Sequence, residues 1–241
     1  MELYSIRSDV DLERVPVHDL GDMDIVEDLS ETLDRTKSVC EEMYEAKKIT
    51  LIVGGEHSIT KASTDALPTD TGIVSFDAHL DLRDEFLGEK LSHATFMRRV
   101  SEHLGPDHIM EVGIRAFSKP ELDFVKRSGV TMITPQDLRK TGVAKTASRI
   151  KQFLQGFSHS YVTVDIDVLD PAFAPGVGNP EPDGLSTDEL LTLSDATLDS
   201  KITGFDLVEV SPQLDSGQTA AVGTKVLFEA IAALSSRSSK P

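Results

Sequence analysis

The sequence predicts an α/β fold, a mainly parallel sheet covered by helices on both faces in three layers. Three observations predict it. Short apolar, β-branched runs bounded by turn residues recur along the chain and read as buried strands. Stretches of helical periodicity separate them, and such alternation implies a parallel sheet. Three of the runs are followed at once by carboxylates and imidazoles, and an open parallel sheet gathers its ligands outside the carboxyl ends of its strands.

The elements follow in order. Residues 26–47 read as a helix holding the single cysteine, Cys40, as a small packing residue. The run Ile49-Thr50-Leu51-Ile52-Val53 is a strand, Gly54-Gly55 its turn, and residues 59–67 a helix. Gly72-Ile73-Val74-Ser75-Phe76 is a second strand, followed by a polar loop over 82–91 and a helix over about 93–103, with Ser92 as its candidate cap. Ile109-Met110-Glu111-Val112 and Val130-Thr131-Met132-Ile133 are further strands, with helices over 119–126 and 143–154. Tyr161-Val162-Thr163-Val164 leads through Asp165 into a Pro- and Gly-rich loop over 171–184. Ser186 with Glu189 marks a capping box for a helix reaching 198. A last strand spans 202–210 and a last helix 217–234, leaving 235–241 as a polar tail. No linker or repeat divides the chain, so residues 1–241 are expected to form one domain.

Composition narrows the partners. The formal charge of −17 argues against nucleic acid, whose phosphates need clustered Lys and Arg, and favours cationic ligands. The acidity is equally compatible with a solvated surface or salt adaptation. No run approaches a membrane span, and the N-terminus lacks the basic-then-apolar pattern of a secretory signal. With one cysteine there is no intramolecular disulfide, and a cytoplasmic location is expected.

The ligand clusters are Gly54-Gly55-Glu56-His57, Asp77-Ala78-His79-Leu80-Asp81 and Asp165-Ile166-Asp167. Positions two apart on an extended segment share a face, so Asp77, His79 and Asp81 can converge, as can Asp165 and Asp167. A lone Asp-x-Asp is ordinarily a turn or cap; three clusters after three strands point to one site. Four carboxylates so close would repel and raise one another's pKa. Two divalent cations would balance them, and an oxygen-rich donor set with imidazole and no thiolate suits Mn²⁺. Two such ions can share a water and lower its pKa.

At these residues the chain resembles the arginase/agmatinase (ureohydrolase) family, whose three signature motifs occur here in order. Gly54-Gly55-Glu56-His57-Ser58-Ile59-Thr60 is similar to the first, Phe76-Asp77-Ala78-His79-Leu80-Asp81 to the second, and Thr163-Val164-Asp165-Ile166-Asp167 through Asp170-Pro171 to Gly184 to the third. The resemblance implies an arginase-like fold and two Mn²⁺ ions. One would be held by His57, Asp77, Asp81 and Asp165, the other by Asp77, His79, Asp165 and Asp167, with Asp77 and Asp165 bridging. It implies that Glu209, in Leu207-Val208-Glu209-Val210-Ser211-Pro212, grips the substrate guanidinium, for which a carboxylate offers two parallel hydrogen bonds. It implies that His93, in Ser92-His93-Ala94-Thr95-Phe96, donates a proton to the departing amine, and that Asp81 accepts one from the nucleophile. Without the resemblance, Glu209 is an ordinary strand-end residue and His93 an ordinary residue of a helix start.

Asp84-Glu85-Phe86-Leu87-Gly88-Glu89 resembles the agmatinase form of the loop after the second motif, and an acidic rim would complement agmatine's second cation. The implied reaction is cleavage of agmatine to urea and putrescine, with arginase or guanidinobutyrase chemistry as alternatives. Family members are commonly homo-oligomers. The chain begins inside the family's usual N-terminal region, which would expose a sheet edge. Asn179 stands where the family commonly has Thr, and Asp183 where it has Gly. The short N-terminus motivates a second reading, a catalytically weak relative that serves as a binding or assembly subunit. A third class, an aspartyl phosphotransferase using Asp165, would leave His57, His79 and His93 without a role and lacks its second acidic motif.

Overall fold

The protein is described from a computed structural model covering residues 2–24, 26–198 and 201–238. It opens on a small antiparallel ribbon, β1 (Tyr4–Ser5) and β2 (Val10–Asp11). Then follow α1 (Leu29–Glu45), β3 (Thr50–Val53), α2 (Ile59–Asp65), β4 (Thr71–Phe76), α3 (Phe96–Leu104), β5 (Ile109–Val112), α4 (Lys119–Ser128) and β6 (Thr131–Ile133). The chain continues through α5 (Pro135–Thr141), α6 (Val143–Leu154), β7 (His159–Asp165), α7 (Thr187–Thr197), β8 (Ile202–Val208) and α8 (Gln218–Ser238).

Strands β3 to β8 form one sheet in the order β3-β8-β7-β4-β5-β6, and every pairing is parallel. Because both faces are covered, β4 is buried at every residue and reads as a continuous apolar run. One face packs Ile73, Ile109 and Tyr161 against Phe96, Met97 and Val100 of α3. The other packs Val74, Val162 and Phe205 against Ile150 of α6, Leu190 of α7 and Val226 of α8. The expected three layers are present. The terminal ribbon is tied to α8 through Ser5, whose buried hydroxyl donates to Glu229 at 2.6 Å. No helix among the described residues is long and apolar enough to cross a membrane.

Connectivity positions the site. From β4 the chain crosses to β5 on one side, and from β7 it crosses to β8 on the other, although β4 and β7 are neighbours. Such a reversal leaves a crevice beyond the carboxyl ends of the two strands.

Several elements differ from the sequence expectation. α5 falls in a stretch read as connection; its Thr134–Asp137 capping box and Pro135 at the first turn are nevertheless ordinary start signals. α3 begins at Phe96 rather than near His93, because Ser92 makes a tight turn with Thr95, whose amide donates to the Ser92 carbonyl at 3.1 Å. α8 runs on through residues 235–238 of the expected polar tail, and 239–241 lie outside the described residues. β3 and β6 are the edges of the sheet, and Val53 on β3 is 70% exposed.

Candidate active site and metal-ligand cluster

Register brings the ligand residues together. Phe76 of β4 pairs with Val164 of β7, so Asp77 and Asp165 leave adjacent strands side by side at the crevice. Asp165 pairs in turn with Val208 of β8, which places Glu209 on the next strand over. Val53 of β3 pairs with Leu207, and the ladder extends through Gly54 N–H to the Leu207 carbonyl (2.9 Å) and Glu209 N–H to the Gly55 carbonyl (2.9 Å). Gly54 cannot be replaced here without movement, since a Cβ would stand 1.9 Å from the Ile59 side chain. Gly113, after β5, has φ +102 and approaches the Asp77 carbonyl so closely that a Cβ would lie 2.9 Å from it.

Convergence within each cluster arises from turns, and this corrects the expectation of extended alternation. The strands end at Phe76 and Asp165. Asp165 accepts the Asp167 N–H (2.8 Å) as the chain enters a single 3₁₀ turn, Ile166–Val168. Asp77 likewise accepts the His79 N–H (2.6 Å), and Asp167 accepts the Ala78 N–H (3.2 Å), which ties the second cluster to the third. Asp81 and Glu209 both sit at positive φ, +50 and +64. Left-handed backbone is costly for residues with a Cβ and collects at functional sites.

The side chains form two overlapping groups of possible metal ligands, His57 with Asp77 and Asp165, and Asp77 with His79 and Asp167, the ligand atoms of each within 4.8 Å of one another. Asp77 is common to both groups; Asp165 belongs to the first alone. His57 Nδ1 lies 3.1 Å from Asp77, 3.3 Å from Asp165 and 3.6 Å from Asp81. His79 Nδ1 lies 3.1 Å from Asp167 and 3.6 Å from Asp77. Glu209 is bound through one oxygen to the His57 N–H (2.9 Å). His93 stands at the mouth with Nδ1 3.4 Å from Glu56 and its ring edge-on to Phe86. His57, His79, Asp81, Asp165, Asp167, His93 and Glu209 all line one cavity of about 570 Å³.

Burial and crowding set the charge of this cluster. Burial alone would depress the His57 pKa, yet Asp165 and Asp77 beside it drive it well above the usual imidazole range. His79 is pushed to about 11 because Asp167 and Asp77 outweigh its own desolvation. Asp77, though buried, is held at about 2 by His57 and His79. Burial, with Asp77 near by, raises Asp81 well above the carboxylate range, and burial with Asp167 and Asp77 does the same for Asp165. Cation binding must therefore displace protons from imidazoles. The donor set fits that role. His57 Nδ1 is a fully buried nitrogen that makes no hydrogen bond among the described residues and faces three carboxylates. Oxygen and imidazole donors without thiolate suit a divalent cation.

Sequence reasoning missed two supporting residues. Arg115 spends its guanidinium on main-chain carbonyls, donating to Asp167 (2.8 Å), Val168 (3.2 Å), Leu169 (3.2 Å) and Glu181 (2.7 Å), and so clamps the third cluster to the loop before α7. Glu121, buried in the capping box of α4, accepts the Leu82 N–H (3.2 Å) and fixes the chain just beyond Asp81. The capping pair Ser118–Glu121 was a legible signal; nothing in the sequence marks Arg115 as a clamp.

The acidic loop is also placed differently from expectation. Phe86 and Glu89 exchange main-chain hydrogen bonds (2.9 Å each), and the resulting turn sends Phe86 into the cavity. Asp84 pairs with Arg99 at 2.9 Å, and neither it, Glu85 nor Glu89 lines the cavity. The acid at the rim is Glu181, beside Asn179. Asp183 has φ +69, the backbone that explains why glycine is common there, and its carboxylate is held by Arg139 at 2.5 Å.

An all-parallel sheet with this donor set at its switch point defines a metal-dependent hydrolase on an α/β scaffold. The chain belongs to the arginase family, whose match runs over residues 1–233, and is a ureohydrolase of that family. It is 37% identical over 237 residues to the agmatinase of Halalkalibacterium halodurans, covering 95% of this chain and 79% of that one. It is 36% identical to the proclavaminate amidinohydrolase of Streptomyces clavuligerus, covering 88% and 71%. The crystal structure of the agmatine ureohydrolase of Thermoplasma volcanium superposes with a TM-score of 0.92 at 36% identity, covering 98% of this chain and 79% of that one.

Proposed function

We propose that this ureohydrolase cleaves agmatine to urea and putrescine, using two Mn²⁺ ions held by His57, Asp77, His79, Asp81, Asp165 and Asp167. The observation that carries the substrate is the charge of the cavity. Its two arginines are committed: Arg115 to backbone carbonyls, and Arg83 to Glu121 (3.6 Å) and the face of Phe86. Glu181 and Glu209 remain to meet ligand, so a dication without a carboxylate is complementary. The names of the H. halodurans and T. volcanium relatives support the same reading. The proclavaminate amidinohydrolase among its relatives makes another amidino compound an alternative, alongside arginine and guanidinobutyrate.

Divalent cations held by these residues would lower the pKa of a bound water and supply a nucleophile at neutral pH. The chain's own residues do the rest. Glu209 accepts guanidinium N–H groups through the oxygen not bound by the His57 N–H and fixes the planar group over the cluster. Asp81, on its left-handed turn, accepts the proton of the attacking water. His93, oriented by Glu56, returns a proton to the departing amine. We place these parts in one catalytic domain, acting in a homo-oligomer in the cytoplasm.

Urea release from agmatine, arginine and guanidinobutyrate by Mn²⁺-reconstituted protein tests the proposal. Release from agmatine alone, abolished by a chelator, is expected. Preference for another guanidine would overturn the substrate and keep the mechanism. Two bound metals without urea from any of them would favour the binding-subunit reading.

A further inference from the structure

Behind the ligand cluster, away from the cavity, lies a line of buried hydroxyls ending in an acid the mechanism does not use. His57 Nε2 is 2.9 Å from Thr163 Oγ1, on β7. Thr163 Oγ1 is 3.2 Å from Thr60 Oγ1, in the first turn of α2. Thr60 donates to Asp206 Oδ2 at 2.9 Å, and Tyr161 donates to the same oxygen at 2.7 Å. Thr60, Thr163 and Asp206 are fully buried and Tyr161 nearly so. Asp206 makes no ion pair among the described residues; burial raises its pKa, and His57 with the hydroxyls of Thr163, Tyr161 and Thr60 lowers it only in part, an arrangement that packing alone would not call for.

We propose that Asp206 is a positioning residue for the metal-facing nitrogen of His57, acting through the hydroxyls of Thr60 and Thr163. This inference rests on the reading of His57 as a metal ligand. A neutral imidazole carries one N–H, and the partner of the second nitrogen decides which nitrogen bears it. Oδ2 of Asp206 receives two hydroxyl hydrogens and acts as the terminal acceptor. With its hydrogen committed to Asp206, Thr60 has only lone pairs to offer Thr163, so the Thr163 hydrogen points to Thr60. Thr163 then has only lone pairs to offer His57, so Nε2 must donate. The lone pair is left on Nδ1, the nitrogen that faces Asp77, Asp81 and Asp165. Ionised, as the two hydroxyl donors on its Oδ2 favour, Asp206 has no hydrogen to return and the chain runs one way. Sequence offered half of this: Thr163 and Thr60 lie within the signature segments, while Asp206 sits in β8 and reads as a flaw in an apolar strand.

Titration of the full chain with Mn²⁺, followed through the paramagnetic resonance signal of the free ion, tests this on wild type, Asp206→Asn, Thr60→Val and Thr60→Ser. Asp206→Asn keeps the shape but can turn an amide N–H toward Thr60; Thr60→Val breaks the line. Each is expected to weaken one Mn²⁺ site by about 10–100-fold, the usual effect of losing such an outer partner. Thr60→Ser keeps the hydroxyl and is expected to restore wild-type affinity, a recovery that a pure packing role would not give. Thermal melts of the metal-free proteins establish that each variant is folded, and Asp206→Asn carries the test if Thr60→Val is not. Wild-type affinity in Asp206→Asn, or equal loss in Thr60→Ser and Thr60→Val, overturns the proposal alone. Absence of Mn²⁺ uptake by wild type overturns it together with the reading of the site. The titration reads metal only, so its outcome does not depend on whether agmatine is the substrate.

Discussion

At the base of the cleft, Asp77 and Asp165 leave two central strands in register and His57 is locked from behind by buried hydroxyls. At the mouth, His93, Phe86 and Glu181 come from loops, and His93 is 41% exposed. The base is fixed by sheet hydrogen bonds that any sequence with these strands must make. The mouth depends on side-chain contacts such as His93–Glu56 (3.4 Å), which solvent weakens. On the proposed reading, metal binding falls to the base and proton delivery and substrate fit to the mouth, so the two should fail differently when altered.

The largest effect is expected at the base. Asp165→Ala should cost more than about 100-fold in metal affinity, beyond the loss of an outer partner, and activity with it. Metal content after dialysis checks this; retention of two Mn²⁺ would remove Asp165 from the ligand set. Glu209→Gln should keep the metals and lower kcat/KM by about 10²–10³-fold, the scale of losing one electrostatic anchor of a transition state. An unchanged kcat/KM would end its role in holding guanidinium. At the mouth, His93→Ala should lower kcat by about 10²-fold with KM little altered, the lower end of general-acid effects. Loss of KM alone would make His93 a binding residue instead.

Protons sharpen the same contrast. In the metal-free protein Asp167 and Asp77 push His79 to about 11, and Asp165 and Asp77 raise His57 well above its ordinary value, so protonation of both is favoured. Cations compete with those protons, and Mn²⁺ affinity should rise with pH. The sign for metal-free stability is opposite. A histidine whose folded pKa is raised stabilises fully below about 6.5, and that contribution is lost as pH rises toward about 11. Melting curves with and without Mn²⁺ across pH 6–9 should therefore diverge as pH rises; parallel curves would mean that the imidazoles are neutral in the metal-free state.

What was legible in the sequence follows this division. The ends of β4 and β7, five of the six ligand-type residues (Asp81 falls in neither group) and the start of α7 at its Ser186–Glu189 box could be read because each follows from a local pattern, a β-branched run or a cap, that the fold does not override. The positive φ at Asp81 and Glu209 could not, since nothing local requires it; tertiary contacts such as Leu82 N–H to Glu121 impose it. The fate of the acidic loop was likewise hidden. Whether Asp84 meets solvent, substrate or Arg99 is decided by a helix fifteen residues away.

The smallest predicted effect lies in the base and runs against its rigidity. Glu111 of β5 is 1% exposed, and neither carboxylate oxygen makes a hydrogen bond among the described residues. Burial, with Asp77 near by, pushes its pKa well above the ordinary value. An acid whose folded pKa is raised is neutral in both states below about 4.3 and costs nothing extra there. Above that, the unfolded chain ionises while the folded one holds its proton, and stability falls as pH rises. Glu111→Met should therefore stabilise the metal-free protein by about 1–3 kcal/mol at neutral pH, the scale of removing an unsatisfied buried polar group. The gain should shrink toward pH 5. Denaturant midpoints at pH 5 and 8 decide it: a gain that is flat with pH would mean that Glu111 is charged and solvated, and the base of the cleft wetter than its packing implies.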